Sequence, residues 1–295
     1  MNVIGPIIAA TGAALRMTMV FLFASQAVAQ LPFARIDSVY PPSGQIGTEI
    51  EVTLTGPELV ESTALLFDTD KITATKIEAK KFRVTLGADC PPGLHDVRAI
   101  GPTGISTPAI FVAGDTPEAL DSADNHSRAK AQDITPPCAV AGVFDSETLD
   151  IYRFPAQAGQ ALAITCLAQL IDSPANPTIV VRDPAGREIA RALNTHDRDA
   201  ALEFTPAADG AYFVEVFDHL FAGSPQHIYR LSVADASRSN YPLPRAPASS
   251  TIPDQEGLPM ITESEPNDTF AQAQRISLPC AISGTQLDHD WFEFQ

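Results

Sequence analysis

The sequence predicts an all-β chain made of tandem β-sandwiches, and three observations carry that reading. Short runs rich in Val, Ile, Thr, Phe and Tyr alternate or stay apolar over strand length, among them IEVTLTG at 50–56, KFRVTLG at 81–87, ALAITCLAQL at 161–170, TIVVRD at 178–183 and AYFVEVFD at 211–218. Between such runs lie 25 Pro and 17 Gly, grouped into turns such as Asp183-Pro184-Ala185-Gly186, which puts Pro and Gly where a type I turn takes them. No stretch sustains the periodicity of an amphipathic helix, and only short turns, as around Ala129 to Gln132, read as helical.

The elements follow in order from the N-terminus. Residues 1–29 read as an export signal: the apolar run MTMVFLFA at 17–24 follows Arg16 and precedes SQAVAQ, with the small residues Ala27 and Ala29 at the cleavage positions. A bilayer span needs about 20 apolar residues, and Arg16, Thr18 and Ser25 leave fewer than that. No later stretch could cross a membrane. Residues 33–114 form a first unit of about seven strands, as sandwiches of this size have. A second unit spans 121–235 and closes with HIYRLSVAD, and the Pro- and Ser-rich residues 236–262 read as a linker.

Charge excludes one class of partner. The formal charge is −17, and removing residues 1–29 takes away one Arg and no acid, leaving −18. A nucleic-acid backbone requires clustered Lys and Arg, and no basic run occurs. An acidic surface favours solubility and cations.

Residues 263–295 repeat an earlier segment. DSADNHSRAKAQDITPPCAVAGVFD, residues 121–145, aligns with ESEPNDTFAQAQRISLPCAISGTQL, residues 263–287, at an offset of 142. Asn125 meets Asn267, Ala129 meets Ala271, Gln132 meets Gln274, Cys138 meets Cys280 and Gly142 meets Gly284. After a two-residue gap, Asp150-Ile151-Tyr152-Arg153-Phe154 meets Asp290-Trp291-Phe292-Glu293-Phe294. The first copy runs on from Phe154 to Asp235, so 263–295 is expected to be the incomplete start of a second module, part of a longer protein or a truncated product.

These residues resemble a known family. The Asp/aromatic strand at 150–154, the AGQ turn at 158–160, the DPAG turn at 183–186, the ADGAY turn at 208–212 and the closing YRLSV strand resemble, in order, the bacterial pre-peptidase C-terminal (PPC) domain. That resemblance implies a jelly-roll-like β-sandwich found in secreted bacterial proteins, often appended to proteases, with related modules that bind collagen. IDSVYPPSGQIGTEIEVTLTG at 36–56 and PPGLHDVRAIGPTGIS at 91–106 resemble the IPT/TIG immunoglobulin-like domain, which implies an Ig-like first sandwich.

The resemblance also implies a metal. In the collagen-binding relatives the segment leading into the first strand carries Ca²⁺, and the matching residues are Glu263, Glu265, Asn267 and Asp268, with Asp288 and Asp290 nearby. Carboxylates and an amide oxygen suit Ca²⁺, which takes six to eight oxygen ligands. A solvated acidic boundary in which Asn267 caps a short helix is the other reading. The first copy has Asp121, Ala123, Asn125, His126, Thr148 and Asp150 at these places and is expected to bind Ca²⁺ weakly or not at all.

Cys90, Cys138, Cys166 and Cys280 lack CxxC spacing, so a zinc site has no support. In an exported chain Cys138 and Cys166 could close a disulfide within one module; equally, the cysteines could be small buried apolar residues. Neither HExxH, GxSxG nor a Gly-rich phosphate loop occurs, and His-Asp neighbours such as His95-Asp96 point to opposite faces of a strand. No cofactor other than Ca²⁺ is expected. The function expected is that of a non-catalytic binding or adhesion protein, secreted, periplasmic or on the cell surface, engaging a collagen-like protein, a polysaccharide or a cell-envelope partner. A structural spacer, or an accessory region of a secreted hydrolase or peptidase, are the alternatives.

Overall fold

The computed structural model describes residues 33–102, 104–195, 199–238, 259–267, 269–278, 280–284 and 290–294, whose regular secondary structure is strand apart from a few single 3₁₀ turns. The first sandwich holds β1 (Ser38–Tyr40), β2 (Ser43–Gln45), β3 (Glu49–Thr55), β4 (Ala64–Phe67), β5 (Ile72–Glu78), β6 (Lys81–Leu86), β7 (Gly93–Gly101), β8 (Gly104–Ile105) and β9 (Ala109–Gly114). One sheet runs β1-β3-β6-β5 and the other β2-β9-β7-β4, with β8 on β7. Alternation decides which side chains meet between them. Val52 and Leu54 of β3 and Phe82, Val84 and Leu86 of β6 point inward, while Glu51, Thr53 and Arg83 point out. They pack against Phe67, Val97 and Phe111 of the facing sheet.

The second sandwich holds β10 (Glu118–Leu120), β11 (Gln132–Asp133), β12 (Cys138–Val143), β13 (Asp150–Ala156), β14 (Leu162–Leu167), β15 (Pro177–Arg182), β16 (Glu188–Leu193), β17 (Ala200–Phe204), β18 (Gly210–Asp218) and β19 (Ile228–Asp235). Its two five-stranded sheets run β10-β12-β19-β14-β17 and β11-β13-β18-β15-β16. Tyr152 and Phe154, Ile164, Val214 and Val216, and Tyr229, Leu231 and Val233 fill the space between. The sandwich begins at Glu118, three residues ahead of the boundary read from sequence. β10 is too short to show alternation, and its pairing with β12 is parallel and non-local.

The sandwiches share an interface. Leu94 and Val112 of the first pack on Leu167, Ile171 and Ile228 of the second. Ile110 N–H donates to Asp172 Oδ2 at 2.9 Å and the Tyr40 hydroxyl to the Ala141 carbonyl at 3.3 Å. At its centre Arg230 binds Glu118 through Nη2 at 2.6 Å and Nε at 3.1 Å, and Ser43 Oγ of the first sandwich donates to Glu118 Oε2 at 2.8 Å. Gly114 lies so close that a methyl group there would overlap Glu118 and Arg230.

The repeat read from sequence is structural. β20 (Met260–Thr262), β21 (Gln274–Ile276), β22 (Ala281–Ser283) and β23 (Phe292–Phe294) stand where β10, β11, β12 and β13 do in the first copy. Met260 pairs with Ala281 as Glu118 does with Ala139, and Gln274 with Phe292 as Gln132 does with Tyr152. The side-chain bonds repeat as well: Gln132 accepts from Ser122 N–H and donates to the Leu120 carbonyl, and Gln274 does the same with Ser264 and Thr262. The salt bridge Asp133–Arg153 returns with its charges exchanged as Arg275–Glu293. The second copy thus starts at Met260, inside the segment read as linker. Residues 1–29, most of that linker, Asp268 and Asp288 lie outside the described residues.

Candidate functional site

The copy start that carries the expected metal ligands brings three of them together. One carboxylate oxygen each from Glu263, Glu265 and Asp290 lie within 4.8 Å of one another. Glu263 follows β20 and Asp290 precedes β23, so the loop between the two sheets and the entry to the Asp/aromatic strand converge. Asn267 is fully buried beside them, with Nδ2 donating to Glu263 Oε1 at 3.4 Å and Oδ1 accepting no hydrogen bond. A buried amide oxygen without a donor is costly, and a cation among oxygens is one thing that satisfies it. The residues present therefore fit Ca²⁺. Gly284 is needed for the approach, since a methyl there would overlap the Glu263 carboxylate.

The first copy handles the same location with hydroxyls. Asp150, Tyr152 and Phe154 alternate onto the inner face of β13. The Tyr152 hydroxyl donates to Asp121 Oδ1 at 2.6 Å, the Tyr229 hydroxyl lies 2.7 Å from Asp150 Oδ2, and the two hydroxyls are in hydrogen-bond contact with each other. His126 Nδ1 faces Asp150 Oδ1 at 3.1 Å, and Asn125 Nδ2 donates to Asp121 Oδ1 at 2.7 Å. Tyr229 enters because Gly142, directly opposite on β12, has no side chain; a methyl there would overlap the ring. Burial pushes the Asp150 carboxyl up to about 6, with the Asp121 charge adding to the rise and the Tyr229 hydrogen bond opposing it. Tyr229 reaches the site from β19, and the Tyr152/Phe292 difference is visible in the aligned copies.

The cysteines form no bridge. Cys138 pairs with Val233 and Cys166 with Leu231, so β19 runs between them, and all four cysteines are free thiols. Two strand spacings put the pair beyond the roughly 7 Å that a disulfide tolerates. Burial pushes the Cys138 thiol up to about 11 and holds the Cys166 thiol well above its ordinary range.

Cys90, His95 and Asp68 stand in the order of a nucleophile, base and orienter, but their geometry is that of a structural pin. His95 is fully buried, with Nδ1 at 2.8 Å from Asp68 Oδ1 and Nε2 at 2.9 Å from the Pro91 carbonyl. Both ring nitrogens thus face oxygen partners, and Cys90 Sγ lies 4.0 Å from Nε2, farther than the Pro91 carbonyl which that nitrogen already meets. Burial, then Asp68 and Asp89, hold that thiol in its protonated form.

A cleft of about 540 Å³ lies between the sandwiches, lined by Tyr40, Thr53 and Thr55 from one and Asp145, Ser146 and Ser224 among others from the second. Tyr40 is directly opposite Thr53 in the β1–β3 register. The far wall is braced: Ser146 Oγ donates to the Gly223 carbonyl at 3.2 Å and Glu147 N–H to the Phe221 carbonyl at 3.0 Å. Beside it, buried Asp218 accepts from Leu220 and Ala222 N–H at 2.9 and 3.0 Å and from Asn176 N–H at 2.7 Å. That clamp holds Phe221 at φ 55°, 43% exposed and stacked on Phe217 with ring centres 5.0 Å apart. Tyr212 and Tyr229, by contrast, are core. A larger opening, about 650 Å³, is the gap between edge strands β4 and β5 of the first sandwich alone.

No protein-family model matches this chain, and no curated protein does. Among solved structures it is similar to the pre-peptidase C-terminal domain of a collagenase from Bacillus anthracis, at 18% identity over 35% of this chain and 93% of that one, with a TM-score of 0.30. It is also similar to PliG from Aeromonas hydrophila, a periplasmic inhibitor of g-type lysozyme, at 18% identity over 40% and 96% of the two chains, TM-score 0.27. A third is SGBP-B of the mixed-linkage glucan utilization locus of Bacteroides ovatus, in complex with a heptasaccharide, at 9% identity over 60% and 73%, TM-score 0.24. Among the described residues no helix is long and apolar enough to cross a membrane.

Proposed function

We propose that this chain is the non-catalytic binding region of an exported protein and that it holds an uncharged polysaccharide in the cleft between its sandwiches. The observation that carries this reading is the cleft itself: a preformed groove lined by the Tyr40 ring, by the hydroxyls of Thr53, Thr55, Ser146 and Ser224 and by the apolar Val143 and Pro225, between two sandwiches joined through the Ser43–Glu118–Arg230 contact. Sugars offer hydroxyls to Thr53, Thr55, Ser146 and Ser224, and apolar C–H faces to Tyr40 and, at the rim, to Phe221. The formal charge of −17 opposes polyanions. Glycoside hydrolysis takes two carboxyl groups flanking the bond, whereas the residues lining the cleft include one, Asp145.

The same reading assigns Ca²⁺ to Glu263, Glu265, Asp290 and the Asn267 oxygen. Bound there, the ion would supply the charge that lets three carboxylates converge and would fix the entry to the second module. Titration of the full chain with soluble neutral glucans, xylans and mannans, and separately with collagen, tests the binding role. Saturable glycan binding supports it; no saturable binding to any polymer makes the rigid pair of sandwiches a spacer. Calorimetry with Ca²⁺, with Glu265→Gln as control, tests the ion.

A further inference from the structure

The first copy contains three short O···O contacts in a row: Asp121 to Tyr152, Tyr152 to Tyr229, and Tyr229 to Asp150. Each requires a proton between its oxygens, and the two phenols bring only two. The third must come from a carboxyl. With Tyr229 donating to Asp150 and Tyr152 to Asp121 the contact between the two hydroxyls lacks a proton; a proton on Asp150, given to Tyr229, would let Tyr229 donate to Tyr152 and Tyr152 to the Asp121 carboxylate. The charged and titratable groups facing it are His126 on Asp150, Asp145 nearby, and Tyr40, whose hydroxyl feels both Asp121 and Asp150.

In the second copy Phe292 takes the place of Tyr152 at the same register, Glu265 that of Ala123 and Asp268 that of His126. The phenol is gone and, with Asp288 in the place of Thr148, three carboxylates are added in the sequence. Asn267 and Asn125 provide a second observation. Both are fully buried, both turn Nδ2 to the first acid of the site, and in both Oδ1 accepts no hydrogen bond. The hydroxyl row satisfies the rest of its polar atoms and still leaves Asn125 Oδ1 without a donor, which marks the oxygen as belonging to a site common to both copies.

We propose that the first sandwich is a proton-locked form of the cation-held module, and that Tyr152 decides between the two: its hydroxyl completes a bridge from Asp121 to Asp150 that excludes a divalent ion, where Phe292 leaves the bridging to one. The Ca²⁺ half rests on the reading of the second copy given above. The upward-shifted Asp150 carboxyl agrees with the extra proton.

The test uses the full chain with the second copy silenced by Glu265→Gln and Asp290→Asn, and reads thermal unfolding of the second sandwich in Ca²⁺ and in chelator. The expected result with Tyr152 in place is no calcium-dependent shift, and a melting temperature that falls as pH rises from about 5 to about 8. Adding Ala123→Glu, His126→Asp and Tyr152→Phe should abolish that fall and raise the melting temperature by roughly 5 °C or more once Ca²⁺ is about a hundredfold above its Kd. Calcium stabilisation with Tyr152 present, or a folded triple variant indifferent to Ca²⁺, would overturn the proposal. Should the triple variant fail to fold, Tyr152→Phe alone decides: retained pH dependence contradicts the lock. Terbium emission excited through Trp291, the chain's single tryptophan, reports the second copy in the unsilenced chain. Its absence there counts against the Ca²⁺ reading while leaving the Tyr152→Phe result to judge the lock.

Discussion

Arg230 and Glu118 form an ion pair 2.6 Å long in which both side chains are less than a tenth exposed, at 5% and 8%, on the seam between the two sandwiches. Ser43 on the opposite side of the seam takes the remaining Glu118 oxygen. Because the pair belongs to the second sandwich and its third partner to the first, the seam depends on it. Removing one member of such a pair strands a buried charge, and Arg230→Ala should cost about 3–5 kcal/mol. Denaturant melts should show this, with Arg230→Ala and Glu118→Ala together costing less than the sum of the two singles.

Asp150 gives the second sandwich a pH dependence of definite sign. Its carboxyl is raised from 3.8 to about 6 in the folded chain, chiefly by burial, so the folded state holds the proton more tightly than the unfolded one. The resulting stability is fully present below pH 3.8 and is lost as pH rises through about 6. A shift of that size corresponds to at most about 3 kcal/mol. Asp150→Asn should flatten the profile, and the difference between the two curves isolates this group from the other carboxylates.

How far the sequence was legible follows from what each residue interacts with. The strands, their turns and the internal copy were readable because alternation, Pro and Gly placement and a constant offset are local signals. The grouping of Glu263, Glu265 and Asp290 came from the family resemblance instead, since Asp290 stands 25 residues beyond Glu265 and no local pattern joins them. Tyr229 was not readable, since it reaches Asp150 from a strand 79 residues away, and its hydroxyl carries no pattern in the chain. Glu118 and Arg230 escaped for a related reason: 112 residues separate them, and β10 is only three residues long. The Cys138–Cys166 bridge was plausible by sequence distance and fails on strand order, which sequence distance does not encode.

Two glycines should be intolerant for different reasons. Gly142→Ala would drive a methyl into the Tyr229 ring, and unfolding should show a loss of about 1–3 kcal/mol from overpacking. Gly284→Ala would meet the Glu263 carboxylate instead, and calcium calorimetry should show weakened affinity with little change in the melting of the two complete sandwiches.

Thiol chemistry should separate Cys280 from the rest. Cys280 is partly exposed, while Cys90, Cys138 and Cys166 are buried and protonated. In the folded chain without reductant a thiol reagent should titrate Cys280 quickly, and the other three only on unfolding. Fewer than four thiols after unfolding would mean that a bridge exists.

The cleft is the heart of the account, and blocking it is the direct measurement. Isothermal titration of the full chain with whichever neutral polysaccharide it retains should give saturable binding that Thr53→Arg, which fills the groove from an exposed position, abolishes without altering the melting temperature, and that Phe221→Ala weakens about tenfold, in line with the roughly 1.5 kcal/mol upper range of an aromatic contact. Binding left intact by Thr53→Arg, or no binding to any neutral polysaccharide, would contradict it.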